Sequence, residues 1–196
     1  MQQLQNSKSS ERNYQKEYFG RTWWGQQWLQ ALNRIDYGNR LERGRRYAKN
    51  GAVVGIKITG NSISAKVKGS MSRPYSVSIL VPPFFEPEKK IFLESIKSKP
   101  LILSQLLNRE LPHELLKIAE QNKIKLFPES WQDIKLNCSC PDWAVPCKHL
   151  AAVVYMIANE IDQNPFLVFK IHNFDLLEKL ADLKLDFTNL KKELIL

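Results

Sequence analysis

The 196 residues have room for one large domain or two small ones, and 43% apolar with 25% charged residues excludes wholesale disorder. No run approaches the ~20 apolar residues of a membrane span, and the polar start, Met1 to Glu11, lacks the apolar core of a secretory signal, so a cytoplasmic protein is expected. The net charge of +9 is uneven: residues 1–83 hold 14 Lys and Arg against four acids, or +10, which leaves residues 84–196 at −1 and points a polyanion at the N-terminal half.

Residues 1–16, rich in Gln, Asn and Ser with no apolar period, read as a flexible arm. From Thr22, a suitable N-cap, Trp24, Trp28, Leu32 and Ile35 recur at spacings of four, four and three, predicting an amphipathic helix that ends near Gly38. Trp23, Trp24 and Trp28 belong to its core-facing side. Residues 39–50 carry five bases and a glycine but no clear period, which predicts a loop or a strand approach.

Three β-rich runs follow, Val53 to Ile58, Ile63 to Lys68 and Tyr75 to Val81. Ile63, Ala65 and Val67 alternate with Ser64, Lys66 and Lys68, so the expectation is an antiparallel three-stranded meander with one basic, wet face. Pro82 and Pro83 stop the sheet, and short helices are predicted over about Glu88 to Lys97, Leu101 to Asn108 and Pro112 to Gln121. A longer helix is predicted from His149 to Ile161, with Leu150, Val153, Val154 and Ile157 on one face, ending at Asn164-Pro165. A β-like run, Phe166 to Ile171, precedes a last helix from about Asp175 to Leu183. The fold class is α+β, divided as arm 1–16, basic helix and meander 17–83, helical region 84–130, metal segment 131–172 and C-terminal helix 173–196.

The chemistry concentrates in one stretch. All three cysteines lie between positions 138 and 147, an odd number that cannot close into a full disulfide set. Cys138, Cys140, Cys147 and His149 form Cys-x-Cys, six residues, Cys-x-His. Three thiolates and one imidazole fill the tetrahedral shell of Zn2+, leaving no position for water or substrate. Such a site is structural, and no phosphate-binding Gly-rich loop or nucleophile elbow accompanies it, so a non-enzymatic protein is expected. Pro141 and Pro146 bracket the connecting turn and lower the entropy cost of joining the two pairs. The first pair is expected on a strand or hairpin and His149 on the first turn of the next helix. Lys148, between two ligands, offsets the centre's charge of −1. His113 and His172 stand apart and read as surface residues.

At these residues the chain resembles the SWIM zinc finger, Cys-x-Cys, a variable gap, then Cys-x-His followed by a helix. Cys138-Ser-Cys-Pro-Asp-Trp and Pro146-Cys-Lys-His-Leu-Ala-Ala-Val match closely. Phe19-Gly-Arg-Thr-Trp-Trp-Gly, Arg43-Gly-Arg-Arg-Tyr-Ala, Lys68-Gly-Ser and Pro74-Tyr also look like the bacterial stand-alone SWIM proteins. One departure is Lys170-Ile-His-Asn, where a Leu-Arg-Gly-like end is expected. The resemblance implies an accessory to Swi/Snf-type DNA-translocating ATPases that binds DNA or protein.

Two readings of the partner stand. For nucleic acid, DNA foremost, the candidates are Arg43, Arg45, Arg46 and Lys49 in one loop, Lys66, Lys68 and Arg73 from the sheet, and Lys148, with Tyr47 and Tyr75 as stacking platforms. The rival is a protein-interaction adaptor whose basic surface is incidental. Neither reading calls for a membrane or a small-molecule substrate.

Overall fold

The computed structural model describes residues 19–32, 39–143 and 145–182. The expected arm, Ile35, Gly38 and Leu183 lie outside these residues. Among them are eight helices and one four-stranded antiparallel sheet, so the chain is α+β.

Helix α1, Trp23–Leu29, runs on into a 3-10 turn at Gln30–Leu32. Thr22 caps it, accepting the Gly25 N–H at 3.1 Å. The stripe behaves as its period requires: Trp28 is fully buried and Trp24 nearly so. Their indole N–H groups donate to the carbonyls of Val154 at 3.0 Å and Ile161 at 2.9 Å. Trp23, half-buried, stacks on His113 with centroids 4.0 Å apart.

Residues 40–49 are helical, where a loop or strand approach was expected. Helix α2, Arg40–Lys49, buries Gly44 and Ala48 and half-buries Leu41. These sit at i, i+3 and i+7, so a helical period is present but written in small residues that carry little hydrophobic signal.

Strands β1, Val53–Thr59, β2, Ser62–Val67, and β3, Tyr75–Leu80, form the expected meander. Gly60 supplies the positive φ, +54°, that its tight β1–β2 turn demands. Ile63 pairs with Ile79 and Ala65 with Val77, all facing the core. Ser64, Lys66, Ser76 and Ser78 face solvent. A fourth strand extends the meander: β4, Lys135–Cys138, pairs with β3 through Val77↔Cys138 and Ile79↔Leu136.

Between β3 and β4 come α3, Glu86–Ser98, α4, Pro100–Leu107, and α5, His113–Gln121. All three were expected, each to within a residue or two. Prolines at the first turns of α3 and α4 supply a preset φ where no N–H is needed. Then α6, Lys148–Gln163, runs through the middle of the core, with Leu150 through Val154, Ile157, Ala158 and Ile161 all buried. Both α1 and α2 pack on it.

The run 166–171 is helical rather than β: α7, Leu167–Lys170, precedes α8, Leu176–Asp182. Phe166 to Phe174 is dense in apolar residues because Val168, Phe169 and Ile171 are fully buried, and burial on all sides masks the period. His172 is not a surface residue. It is 3% exposed, lies 4.0 Å from the Phe84 ring in a parallel stack, and its Nδ1 and Nε2 approach the carbonyls of Pro82 at 2.6 Å and Leu126 at 3.3 Å. Asn173 takes φ +57°, a conformation that the glycine of a Leu-Arg-Gly end adopts freely and asparagine tolerates.

Candidate metal centre

The four expected ligands converge. Their ligand atoms all lie within 4.8 Å of one another, although the two pairs come from different elements. Cys138 ends β4, where the β3 ladder fixes it opposite Val77. Ser139, between the first two cysteines, continues the pairing: its N–H donates to the Ser76 carbonyl at 3.0 Å and its hydroxyl accepts the Ser76 N–H at 2.9 Å. This anchor leaves Cys138 and Cys140 free to turn toward one point. Cys147 is the N-cap residue of α6 and His149 lies in that helix's first turn.

The donor set and its geometry fit Zn2+. The Sγ atoms of Cys138 and Cys147 each stand 3.9 Å from His149 Nδ1. Ligand atoms on a tetrahedron with bonds of ~2.0–2.3 Å are separated by roughly 3.5–3.8 Å. His149 is buried, and its Nε2 has no hydrogen-bond partner among the described residues. Nδ1, which faces the cysteine sulfurs, is the atom placed to ligate. Tyr75 and Tyr47 hold the ring from two sides, at 4.5 Å and 5.5 Å between centroids. A methyl group at Gly69 would stand 2.5 Å from the Tyr75 ring and 3.2 Å from His149 Nε2, so the Lys68-Gly-Ser motif needs its glycine for close approach.

The electrostatics also suit a dication. A hydrogen bond from Cys138, helped by His149, pulls the Cys147 thiol down to about 4 against the cost of burial. Cys138, which donates that hydrogen bond, is pushed up, and burial pushes Cys140 up. A bound dication would favour the thiolate form of all three cysteines. Cys138, Cys140, Cys147 and His149 would hold the zinc, which supplies cohesion between β4 and α6.

The expected nucleic-acid residues fall on separate elements. Arg43, Arg45, Arg46 and Lys49 stand on helix α2, not in a loop, and Arg46 pairs with Glu42 at 3.6 Å. Lys66 lies on the solvent face of β2 with its ammonium 2.7 Å from the Ser76 hydroxyl. Lys68 and Arg73 flank the exposed β2–β3 loop. Lys148 lies over the Tyr47 ring at 5.0 Å. Tyr75 is 9% exposed and packs on His149, so it is no open platform. Arg40, Trp143 and Asp142 were not singled out, yet the Arg40 guanidinium sits 5.7 Å from the Trp143 ring centroid and 3.3 Å from the Asp142 carboxylate. A Trp next to a Cys-Pro-Asp turn was the available signal. Asp162 was missed as well: it accepts the N–H of Arg21 at 2.8 Å, the N–H of Thr22 at 2.9 Å and the Thr22 hydroxyl.

Comparison with known proteins agrees with this geometry. Over 147 residues, 75% of this chain, the sequence is 36% identical to the "uncharacterized protein Rv2102" of Mycobacterium tuberculosis. The match takes in 53% of that protein, so the chain spans about half the length of this relative. No solved structure matches the chain. Residues 124–158, which include β4, all four ligands and two-thirds of α6, match the family model of the SWIM zinc finger. The cluster at the junction of β4 and α6 is thus the zinc site of a SWIM finger, and that finger is what this chain carries.

Proposed function

We propose that the protein is a nucleic-acid-binding accessory factor in which zinc is structural and the contact surface is basic. One observation carries this reading: the four strands contain no Asp or Glu, and their solvent face presents Lys57, Lys66 and Lys135 among Ser64, Ser76 and Ser78. Ammonium and hydroxyl groups on a sheet face suit phosphate oxygens, and the lack of any carboxylate leaves nothing there to repel them. Helix α2 adds four exposed or half-exposed expected cations, Arg43, Arg45, Arg46 and Lys49, against the single acid Glu42. DNA is the polymer proposed, and a Swi/Snf-type DNA-translocating ATPase the proposed partner; both rest on the family resemblance.

The test is retention of a DNA fragment on a native gel at low salt. Reversing Lys57 and Lys66 to Glu, or Arg45 and Arg46 to Glu, is expected to weaken binding at least about tenfold and to flatten its salt dependence by about one unit of slope per lost phosphate contact. Retention unchanged in both variants would remove the nucleic-acid reading and leave the protein-interaction adaptor.

A further inference from the structure

We infer that the finger carries a binding site for an unpaired nucleotide, with the base on Trp143 and its phosphate in the hollow beside it. The inference rests on the nucleic-acid reading and adds to it a preference for single strands. It starts from an anomaly. Trp143 is 83% exposed, whereas tryptophan normally buries ~150–250 Å² of apolar surface. In the chain it lies between Pro141 and Pro146, and between the zinc ligands Cys140 and Cys147.

Next to it lies a hollow of about 130 Å³ that adjoins the metal centre: the ligands Cys140 and His149 line it on one side, with Tyr75 and Pro141, and Arg40, Arg43, Lys148, Asp142 and Ser70 complete it. It is well below the ~300 Å³ at which small-molecule pockets begin, and suits a group of phosphate size. Arg40 and Arg43 reach it from the first turn of α2, and Lys148 and His149 from the first turn of α6. Three cations face one carboxylate and a zinc–thiolate centre of net charge −1, which leaves one positive charge over. Arg43 and Lys148 make no ion pair among the described residues.

Arg40 joins the two halves. Its guanidinium reaches the hollow through Asp142 and lies over one face of the Trp143 indole, leaving the other face to solvent. An aromatic ring polarised by a cation on one side and open on the other is a stacking surface for a base, and stacking is indifferent to base identity. A duplex keeps its bases stacked internally and offers none to Trp143. Charge complementarity therefore selects a nucleic-acid strand over an apolar peptide as the occupant.

The experiment uses the full zinc-loaded chain, with fluorescence anisotropy of a labelled short single strand, as DNA and as RNA, and of a matching duplex. Trp143→Ala is expected to weaken single-strand binding about tenfold with an unchanged salt slope, and to leave duplex binding as in the parent. Trp143→Phe is expected to restore most of the affinity. Arg43→Gln is expected to lower the salt slope by about one unit while keeping the single-strand preference. If Trp143→Ala binds both single strands like the parent, or loses strand and duplex equally, the inference is overturned and the indole is left to a protein surface. If the parent retains no strand and no duplex at low salt, the inference falls together with the nucleic-acid reading itself.

Discussion

A methyl group placed on Gly44 would stand 2.6 Å from the Cβ of Ala151, and 3.0 Å and 3.2 Å from the Lys148 carbonyl and the Ala152 nitrogen. Helix α2 thus lies on the first turn of α6 at backbone contact, directly behind two zinc ligands.

That contact makes Gly44→Ala a test of the helix pair. Alanine improves helix propensity by about 1 kcal/mol, but the groups it meets are backbone and Cβ atoms that cannot swing aside. Overpacking of this kind costs about 1–3 kcal/mol or more, so the clash wins and the midpoint of urea denaturation is expected to fall. A midpoint equal to or above the parent's would mean that the helices are not so closely packed.

Asp162 anchors the start of α1 to the end of α6 through three donors. Asp162→Ala leaves the Thr22 and Arg21 N–H groups seeking water at a half-buried site. The expected loss is about 1.5–3 kcal/mol, with Asp162→Asn costing less because one oxygen still accepts. Equilibrium unfolding of the two variants side by side gives the ordering.

Removing the metal is expected to do more than either substitution. Structural zinc contributes on the order of 10 kcal/mol in small fingers, comparable to the whole stability of a domain. Elemental analysis should find one zinc per chain, and a strong chelator or Cys147→Ser should lower the thermal midpoint sharply. A Cys147→Ser variant that keeps its zinc and melts with the parent would contradict the assignment.

His172 predicts a pH dependence. Burial holds its imidazole down to about 4, against two carbonyl contacts that act the other way, while in the unfolded chain it titrates at ~6.5. Between those values the unfolded chain binds a proton that the folded chain refuses. Stability is therefore unaffected above pH ~6.5 and declines as pH drops toward 4, by about 3 kcal/mol in all. Acid also protonates the cysteines, so the quantity to measure is the difference between the parent and His172→Gln, which has nothing to titrate there. Identical acid profiles for the two would refute the assignment.

The parts of the fold that were legible carried strong local signals. The Ile63-Ser-Ala-Lys-Val alternation announced a half-buried strand, and Thr22 with the Trp24–Trp28 spacing announced a capped helix. The zinc ligands were legible because coordination chemistry imposes spacing directly. Helix α2 was misread because its buried side is glycine and alanine, and the turn-and-helix at 166–171 because its apolar residues leave no polar face to mark a period. His172 and Asp162 were invisible for a different reason. Their roles depend on Pro82 and Leu126, and on Arg21 and Thr22, partners distant in the chain that only the tertiary fold brings near.

Because β4 is both the carrier of Cys138 and an edge strand of the sheet, the ion does not merely close a loop. Losing it loosens the strand that covers β3, and the amide edge from Val77 to Leu80 then lies open beside a row of apolar side chains. An uncovered edge of that kind invites pairing with another chain. Starved of zinc, this protein is expected to self-associate through its sheet as well as lose its finger, so turbidity and thioflavin binding should rise together on chelation.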